Sequence, residues 1–290
     1  MDGVLNINKT AGPTSHDVIN RVRRIFGQRR VGHAGTLDPM ATGVLVVCLG
    51  QATRLVEYLS SYDKEYRATL CLGVATDTQD STGQVVSESD ASHVTLDALK
   101  EAAKAFVGDI RQVPPMVSAV KHNGRRLYEL AREGKTVERA ARNVSVYSID
   151  VFDFRPGWHA EAEIVVRCSG GTYIRTLCAD IGGALGCGGI MTALTRTRVG
   201  KFALDDAVTV EQLAQAPQSF VIPMADALAD MPAVVLDGDA VRRVMHGMDV
   251  RAEGARAGAM VRVLSDQGLL VAVGVVVEPG VVKPRKVLAG

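Results

Sequence analysis

The chain has 290 residues, 47% hydrophobic and 22% charged, with a formal net charge of +1. That is enough to bury a sizeable core as one large domain, or a large one plus a small one. No apolar run is long enough to span a bilayer and the start, Met1-Asp2-Gly3, carries no secretion signal, so a cytoplasmic protein is expected and membrane functions are excluded.

The five cysteines, Cys48, Cys71, Cys168, Cys178 and Cys187, are odd in number and widely spaced, and no C-x-x-C occurs. Buried thiols fit this better than a disulfide framework or a zinc site. The charge is unevenly placed. Residues 1–35 carry six Lys/Arg against two Asp/Glu, and the stretch Lys121 to Arg142 carries seven against three. Such patches on a near-neutral chain point to local contact with a polyanion, with a solvated helix face as the plain alternative.

Residues 3–8 read as a short strand. Pro13 then leads into Thr14-Ser15-His16-Asp17, a capping-box pattern that starts a helix running to about Phe26 and stopped by Gly27. Arg21 and Arg24, three apart, share one side of that helix. Next comes Val31-Gly32-His33-Ala34-Gly35-Thr36-Leu37-Asp38-Pro39-Met40-Ala41-Thr42-Gly43, which holds one carboxylate, one imidazole and three glycines in a loop-forming composition. Pro39 pushes Asp38 toward an extended backbone, and the glycines allow close approach of a ligand or another backbone. Asp38 is therefore either a placed reagent or a turn cap.

Residues 44–49 are continuously apolar, as in a buried strand. Residues 64–72 alternate, with Tyr66, Ala68, Leu70 and Leu72 on the apolar face of a half-buried strand. A helix is predicted over 96–107, ended by Gly108. Pro114-Pro115 breaks the chain before a short strand at 117–121, an Asn123-Gly124 turn and a basic helix over 125–132. Strands follow at 144–154 and 160–167, then a helix from Thr172 to about Leu185. This order gives an α+β fold with a mainly antiparallel sheet. Met231-Pro232 marks a boundary, beyond which residues 232–290 form a small β-rich domain. Its strands are at 233–236, 260–264 and 269–277, the last two joined by the hairpin signal Ser265-Asp266-Gln267-Gly268.

Several motifs fail. Gly134-Lys135-Thr136 resembles the end of a phosphate-binding loop, but Glu129 stands where the first glycine is required. The run Gly182 to Gly189 does not follow a predicted strand, so it is no dinucleotide fingerprint. No metalloprotease, serine-hydrolase or deaminase spacing occurs. The chemistry is expected to need neither metal nor cofactor. Asp38, Tyr66, Tyr173 and Arg175 remain, with His33 and the basic clusters.

These residues carry a resemblance. The strings Gly32-His33-Ala34-Gly35-Thr36-Leu37-Asp38-Pro39, Lys64-Glu65-Tyr66-Arg67 and Ser169-Gly170-Gly171-Thr172-Tyr173-Ile174-Arg175-Thr176 resemble the three signature segments of the TruB family, the bacterial tRNA pseudouridine-55 synthases. The segment from Val4 to Ser15 is similar to the family's opening pattern, with Asn8 where an Asp is usual. Leu194-Thr195-Arg196-Thr197 resembles a fourth segment. The similarity runs in order over residues 3–225, and the C-terminal part resembles the family's PUA-like RNA-binding appendage only loosely.

The resemblance implies a pseudouridine-synthase fold, a mixed, mainly antiparallel sheet flanked by helices, in a catalytic domain over residues 1–231. A PUA-like RNA-binding domain over 232–290 follows. The implied reaction isomerises the T-loop uridine at position 55 of tRNA to pseudouridine, on a flipped-out base and without cofactor or metal. Asp38 matches the family's essential aspartate: it attacks C6 of the uracil or C1′ of the ribose, stabilises a cationic sugar, or starts proton abstraction at C2′. Arg175 keeps that carboxylate ionised and oriented. Tyr66 stacks on the base and relays the C5 proton, Tyr173 lies at the rim, and Leu194 forms an apolar wall. His33, Lys9, Arg21 and Arg24 contact the RNA, as do the Lys121–Arg142 cluster and Lys283-Pro284-Arg285-Lys286. The expected partner is the tRNA T-loop and stem, bound by a monomer. The alternative is a non-catalytic RNA-binding or tRNA-folding protein on the same scaffold.

Overall fold

The computed structural model describes residues 1–118, 120–122, 124–251 and 256–288. Its main sheet contains β1 (Gly3–Lys9), β2 (Val31–His33), β3 (Thr42–Leu49), β4 (Lys64–Leu72), β5 (Gly108–Gln112), β6 (Arg142–Arg155), β7 (Glu161–Cys168), β8 (Gly189–Val199) and β9 (Phe202–Ala203). The order across the sheet is β1-β3-β8-β4-β7-β6-β5, with β2 added to β3 and β9 to β8. Neighbours pair antiparallel except β8 and β3, which run parallel at Thr195↔Thr42 and Arg196↔Gly43. The fold is thus α+β with a mainly antiparallel sheet.

Helix α1 (Ser15–Phe26) starts as its sequence dictates. The Thr14 side chain accepts from the Asp17 N–H, the Asp17 carboxylate accepts from the Thr14 N–H, and Gly27 closes the helix at φ 60°. Its buried face, Val18, Ile19 and Val22, packs on Leu5 and Ile7 of β1 and Leu45 and Val47 of β3. Helices α2 (Leu96–Lys104) and α4 (Ile174–Ala184) cover another part of the sheet. Leu99, Leu177, Cys178 and Ile181 pack there against Tyr66, Ala68 and Leu70 of β4 and Ile164 and Val166 of β7. Strand β4 is therefore apolar on the face the alternation assigned.

The structure corrects several expectations. Helix α2 ends at Lys104 rather than Val107, and Gly108 opens the unanticipated strand β5. Residues 125–126 pair with residues 121–122 in a two-stranded ladder, so helix α3 (Leu127–Arg132) begins two residues later than predicted. Of the strand expected at 117–121, Val117 and Ser118 lie in a bend, and Ala119 is outside the described residues. Asn123 is likewise outside them, while Gly124 takes φ 83° in a turn. Strand β8, between β3 and β4, was missed because its Thr-Arg-Thr-Arg run lacks the apolar stretch of a central strand.

Residues 233–287 build a second, five-stranded sheet in the order Ala233–Leu236, Met260–Ser265, Leu270–Glu278, Val281–Val287, Val250–Arg251. Helix Gly238–Met245 and strand Val281–Val287 were not anticipated; the hairpin at 265–268 was. Leu270, Val273 and Leu288 share a buried cluster with Val4, Leu55, Leu59 and Leu228. Arg262 donates to the carbonyls of Ala225 and Met231 at 2.8 and 3.1 Å. All five cysteines are buried and free. Among the described residues, no helix is long and apolar enough to cross a membrane.

Candidate active site

The segment between β2 and β3 has almost no regular structure, so its carbonyls must find partners elsewhere. They find them in side chains brought from distant parts of the chain. Arg196 on β8 donates to the carbonyls of Gly35 and Thr36 at 3.1 and 3.4 Å, and to Val44 at 2.7 Å. The Ser15 hydroxyl donates to the Leu37 carbonyl at 2.9 Å and accepts from its N–H at 2.8 Å. Lys9 reaches the carbonyls of Pro39 and Ala41 at 3.2 and 2.7 Å. Gly43 makes this possible: at φ 100° it lies against the Arg196 backbone, where an added Cβ would sit 2.2 Å from the Arg196 carbonyl oxygen. The loop is thereby held around Asp38.

The Asp38 carboxylate does not cap its own turn. It pairs with Arg175, with Oδ2 3.0 Å from Nε and Oδ1 accepting from Nη2 at 3.4 Å. Arg175 sits in the first turn of α4, and its side chain is only 5% exposed. Its remaining donors reach the Thr78 carbonyl at 3.2 Å, the Val117 carbonyl at 2.7 Å and, at 3.5 Å, the Asp80 carboxylate. Asp80 is itself fixed, accepting from the Thr78 hydroxyl at 2.7 Å, the Thr82 N–H at 2.9 Å and the Thr82 hydroxyl at 2.6 Å. One buried guanidinium thus binds two carboxylates, one locked by its neighbours and one half-exposed.

Two cavities open at Asp38. The first, about 500 Å³, is walled by Tyr66, Leu194, Ile174 and Tyr173, with Arg175, Asp38 and Lys64 also in its lining. That volume lies within the range of about 300–1,000 Å³ typical of small-molecule sites. The second, about 630 Å³, is lined by His16, His33, Arg126, Tyr128 and Arg132. Arg126 and Arg132 both lie over the Tyr128 ring, at 5.8 and 5.5 Å from its centroid.

Burial drives the electrostatics. It pushes the Asp38 carboxyl above the usual carboxylate range; Arg175 opposes this and Asp80 reinforces it. Arg175 thus offsets the cost of ionising Asp38 without cancelling it. Burial also pushes the Tyr66 phenol up, with Arg196 pulling the other way. His33 is pushed down by burial and then by Arg196, His16 and Arg126, which favours the neutral imidazole, and its Nδ1 has no partner among the described residues.

The structure brings together Asp38, Tyr66, Tyr173, Arg175 and Leu194, and sets His33 in the adjoining cavity. Of the other expected RNA contacts, Arg126 and Arg132 of the Lys121–Arg142 cluster line that second cavity, whereas Lys9, Arg21 and Arg24 line neither. Lys9 is 1% exposed and spends its ammonium on the Thr10, Pro39 and Ala41 carbonyls, so it supports the Asp38 loop instead of facing a phosphate. Arg21 pairs with Glu211, and neither Arg21 nor Arg24 lines either cavity. Lys286 is paired with Glu57 and lies over the Tyr58 ring.

Sequence reasoning missed Asp80, Lys64 and Arg196. Lys64 is 6% exposed, donates to the Ser60 and Tyr62 carbonyls at 2.6 and 2.5 Å, and is lowered by burial to about 8. The one available signal was that Lys64 and Arg196 each fall inside a string that carried the family resemblance. Among the described residues, no three His, Cys, Asp or Glu side chains are placed to hold a metal ion.

Comparison with known proteins bears on this geometry. Residues 23–174 match the family model described as TruB family pseudouridylate synthase (N terminal domain). Residues 175–249 match the tRNA pseudouridylate synthase B C-terminal domain, and residues 232–288 match pseudouridine synthase II TruB, C-terminal. The tRNA pseudouridine synthase B of Symbiobacterium thermophilum is 53% identical over 248 residues, covering 86% of this chain and 83% of that protein. The one from Moorella thermoacetica is 45% identical and covers 99% of both chains. A chain in a crystal structure of a Cbf5-Nop10-Gar1 complex superposes with a TM-score of 0.77 at 30% identity, covering 99% of this chain and 85% of that one. A chain of an H/ACA RNP bound to a substrate RNA containing 2′-deoxyuridine gives a TM-score of 0.75 at 29% identity, with the same coverage.

Proposed function

The chain belongs to the TruB family of pseudouridylate synthases, and from that premise we propose that it converts the T-loop uridine at position 55 of tRNA to pseudouridine, with Asp38 as the nucleophile. The observation that carries this reading is the Asp38–Arg175 pair at the mouth of a cavity walled by Tyr66 and Leu194. Attack at C6 of the uracil, attack at C1′ of the ribose and proton abstraction at C2′ all begin from the same state, an ionised and oriented carboxylate. Arg175 supplies both conditions.

The cavity accepts a base only when it has left the stack, at a cost of about a few kcal/mol. Tyr66 and Leu194 then supply flat and apolar walls for the uracil. The N1–C1′ bond breaks, the base turns within the cavity, and C5 bonds to C1′ before losing its proton. The buried phenol of Tyr66 stays protonated, so it relays that proton only by giving one up as it takes one. The second cavity, with Arg126 and Arg132, offers cations to the phosphates on either side of the flipped nucleotide.

Residues 1–231 form the catalytic domain in this reading and residues 232–290 an RNA-contacting one, in a monomer acting in the cytoplasm. The test is incubation with an unmodified tRNA transcript followed by pseudouridine mapping. Asp38→Asn is expected to lower turnover by at least about a thousandfold while tRNA affinity changes by less than about threefold. Retained turnover in that variant removes Asp38 from the chemistry. Pseudouridine at another position corrects the substrate.

A further inference from the structure

The two cavities share a neck formed by Thr36, Leu37, Asp38 and Ser118. Asp38 is ion-paired, Leu37 is apolar, and Thr36 is exposed and has solvent for its hydroxyl. Ser118 differs from all three. It is 6% exposed, and its Oγ has no hydrogen-bond partner among the described residues. A buried hydroxyl left unpaired carries a free-energy cost, so such groups are expected to have a partner that the protein alone does not provide. Other buried unpartnered atoms lie on Asn6, Gln51, Tyr62 and Arg139, none of which lines either cavity; His33 lines the second only.

The main chain around Ser118 is tied to the reactive pair. The Val117 carbonyl accepts from Arg175 Nη2 at 2.7 Å, so the guanidinium that orients Asp38 also fixes the residue before Ser118. The Ser118 carbonyl accepts from the Tyr128 N–H at 3.1 Å. With the backbone held on both sides, the hydroxyl reorients about a single bond, χ1.

We propose that the Ser118 hydroxyl hydrogen-bonds the 2′-hydroxyl of the target nucleotide and so selects ribose over deoxyribose. This rests on the function proposed above. With the base in the Tyr66–Leu194 cavity and the phosphates beside Arg126 and Arg132, the sugar lies in the neck. Within an RNA strand the 3′ and 5′ oxygens are in phosphodiester bonds, so the 2′-hydroxyl is the one free hydroxyl the sugar brings there. Serine supplies one donor and two acceptor positions, and the 2′-hydroxyl does the same.

The experiment compares wild type and Ser118→Ala on two transcripts that differ only in carrying uridine or 2′-deoxyuridine at the target. Single-turnover release of the C5 hydrogen gives the rate, and competition binding gives the affinity of each pair. The deoxy substitution is expected to cost wild type about tenfold or more in kcat/KM, and Ser118→Ala about tenfold on the uridine transcript. On the deoxy transcript the variant should match wild type, because the same hydrogen bond is removed from either side. The thermal midpoint of Ser118→Ala should equal or exceed that of wild type, since Oγ has no protein partner to lose. Equal loss on both transcripts, no loss on either, or a lowered thermal midpoint overturns the inference. Failure of wild type to modify the uridine transcript overturns the proposed function itself, and this inference with it.

Discussion

At Asp38 and Asp80, two carboxylates share one guanidinium and end in different states. Asp80 has three short-range donors from Thr78 and Thr82 besides Arg175, whereas Asp38, among the described residues, has Arg175 alone and faces the cavities. The carboxylate with fewer partners is the one free to react. Its pKa is raised by burial and further by the Asp80 charge, and the reaction needs its ionised form. Activity should therefore fall as the pH drops through the raised value, at higher pH than an ordinary aspartate would give. Asp80→Asn removes a negative neighbour, so the Asp38 pKa falls and the acid limb of kcat/KM moves to lower pH. The same substitution loosens one end of Arg175, and kcat on the pH plateau should drop by up to about a hundredfold. An acid limb that moves upward, or a plateau left untouched, contradicts the linkage. The Asp38 string was legible because its unusual composition is contiguous. Asp80 was not, since the guanidinium that gives it meaning lies on a helix far along the chain.

At the level of elements, the site depends on one parallel contact within the sheet. Strand β8 meets β3 at Arg196↔Gly43 and β4 at Arg196↔Tyr66, so a single residue registers the Asp38 loop against the tyrosine wall. The hydrophobic pattern revealed β3 and β4 because both bury apolar side chains. It hid β8, where the largest fully buried side chain is an arginine at 1% exposure, satisfied by main-chain carbonyls. Periodicity reads apolar burial and is blind to a cation that solves its burial locally. Gly43 tests the contact. Gly12 and Gly43 have nearly the same φ, 103° and 100°, but an added Cβ meets nothing within 4 Å at Gly12 and sits 2.2 Å from the Arg196 carbonyl oxygen at Gly43. Both alanine variants bear the backbone strain, of about 1–3 kcal/mol. Only Gly43→Ala must also push two strands apart, so its denaturant stability should fall by at least about 2 kcal/mol more than that of Gly12→Ala. Equal losses would mean that the strain acts alone.

Over the whole molecule, the second sheet is joined to the first by a common apolar cluster, with Leu270, Val273 and Leu288 against Leu55, Leu59 and Leu228. The sequence predicts a boundary near Pro232 because local strand and turn signals change there. It could not show this cluster, which joins residues far apart in the chain. The contact also divides the basic run in strand Val281–Val287. Lys283 and Arg285 are exposed, whereas Lys286 is turned to Glu57 and the Tyr58 ring. Alternation along the strand sets this split between Arg285 and Lys286, with neighbouring side chains on opposite faces. If the exposed pair grips tRNA phosphates, each neutralised phosphate adds about 0.7–0.9 to the slope of log affinity against log salt. Lys283→Ala and Arg285→Ala should each lower tRNA affinity at low salt and flatten that slope by about this amount. Lys286→Ala should leave the slope unchanged and instead lower the thermal midpoint slightly, through the lost pair with Glu57. The slopes are measured by titrating tRNA at several salt concentrations. A Lys286 variant that flattens the slope as much as the other two would place its ammonium on the RNA.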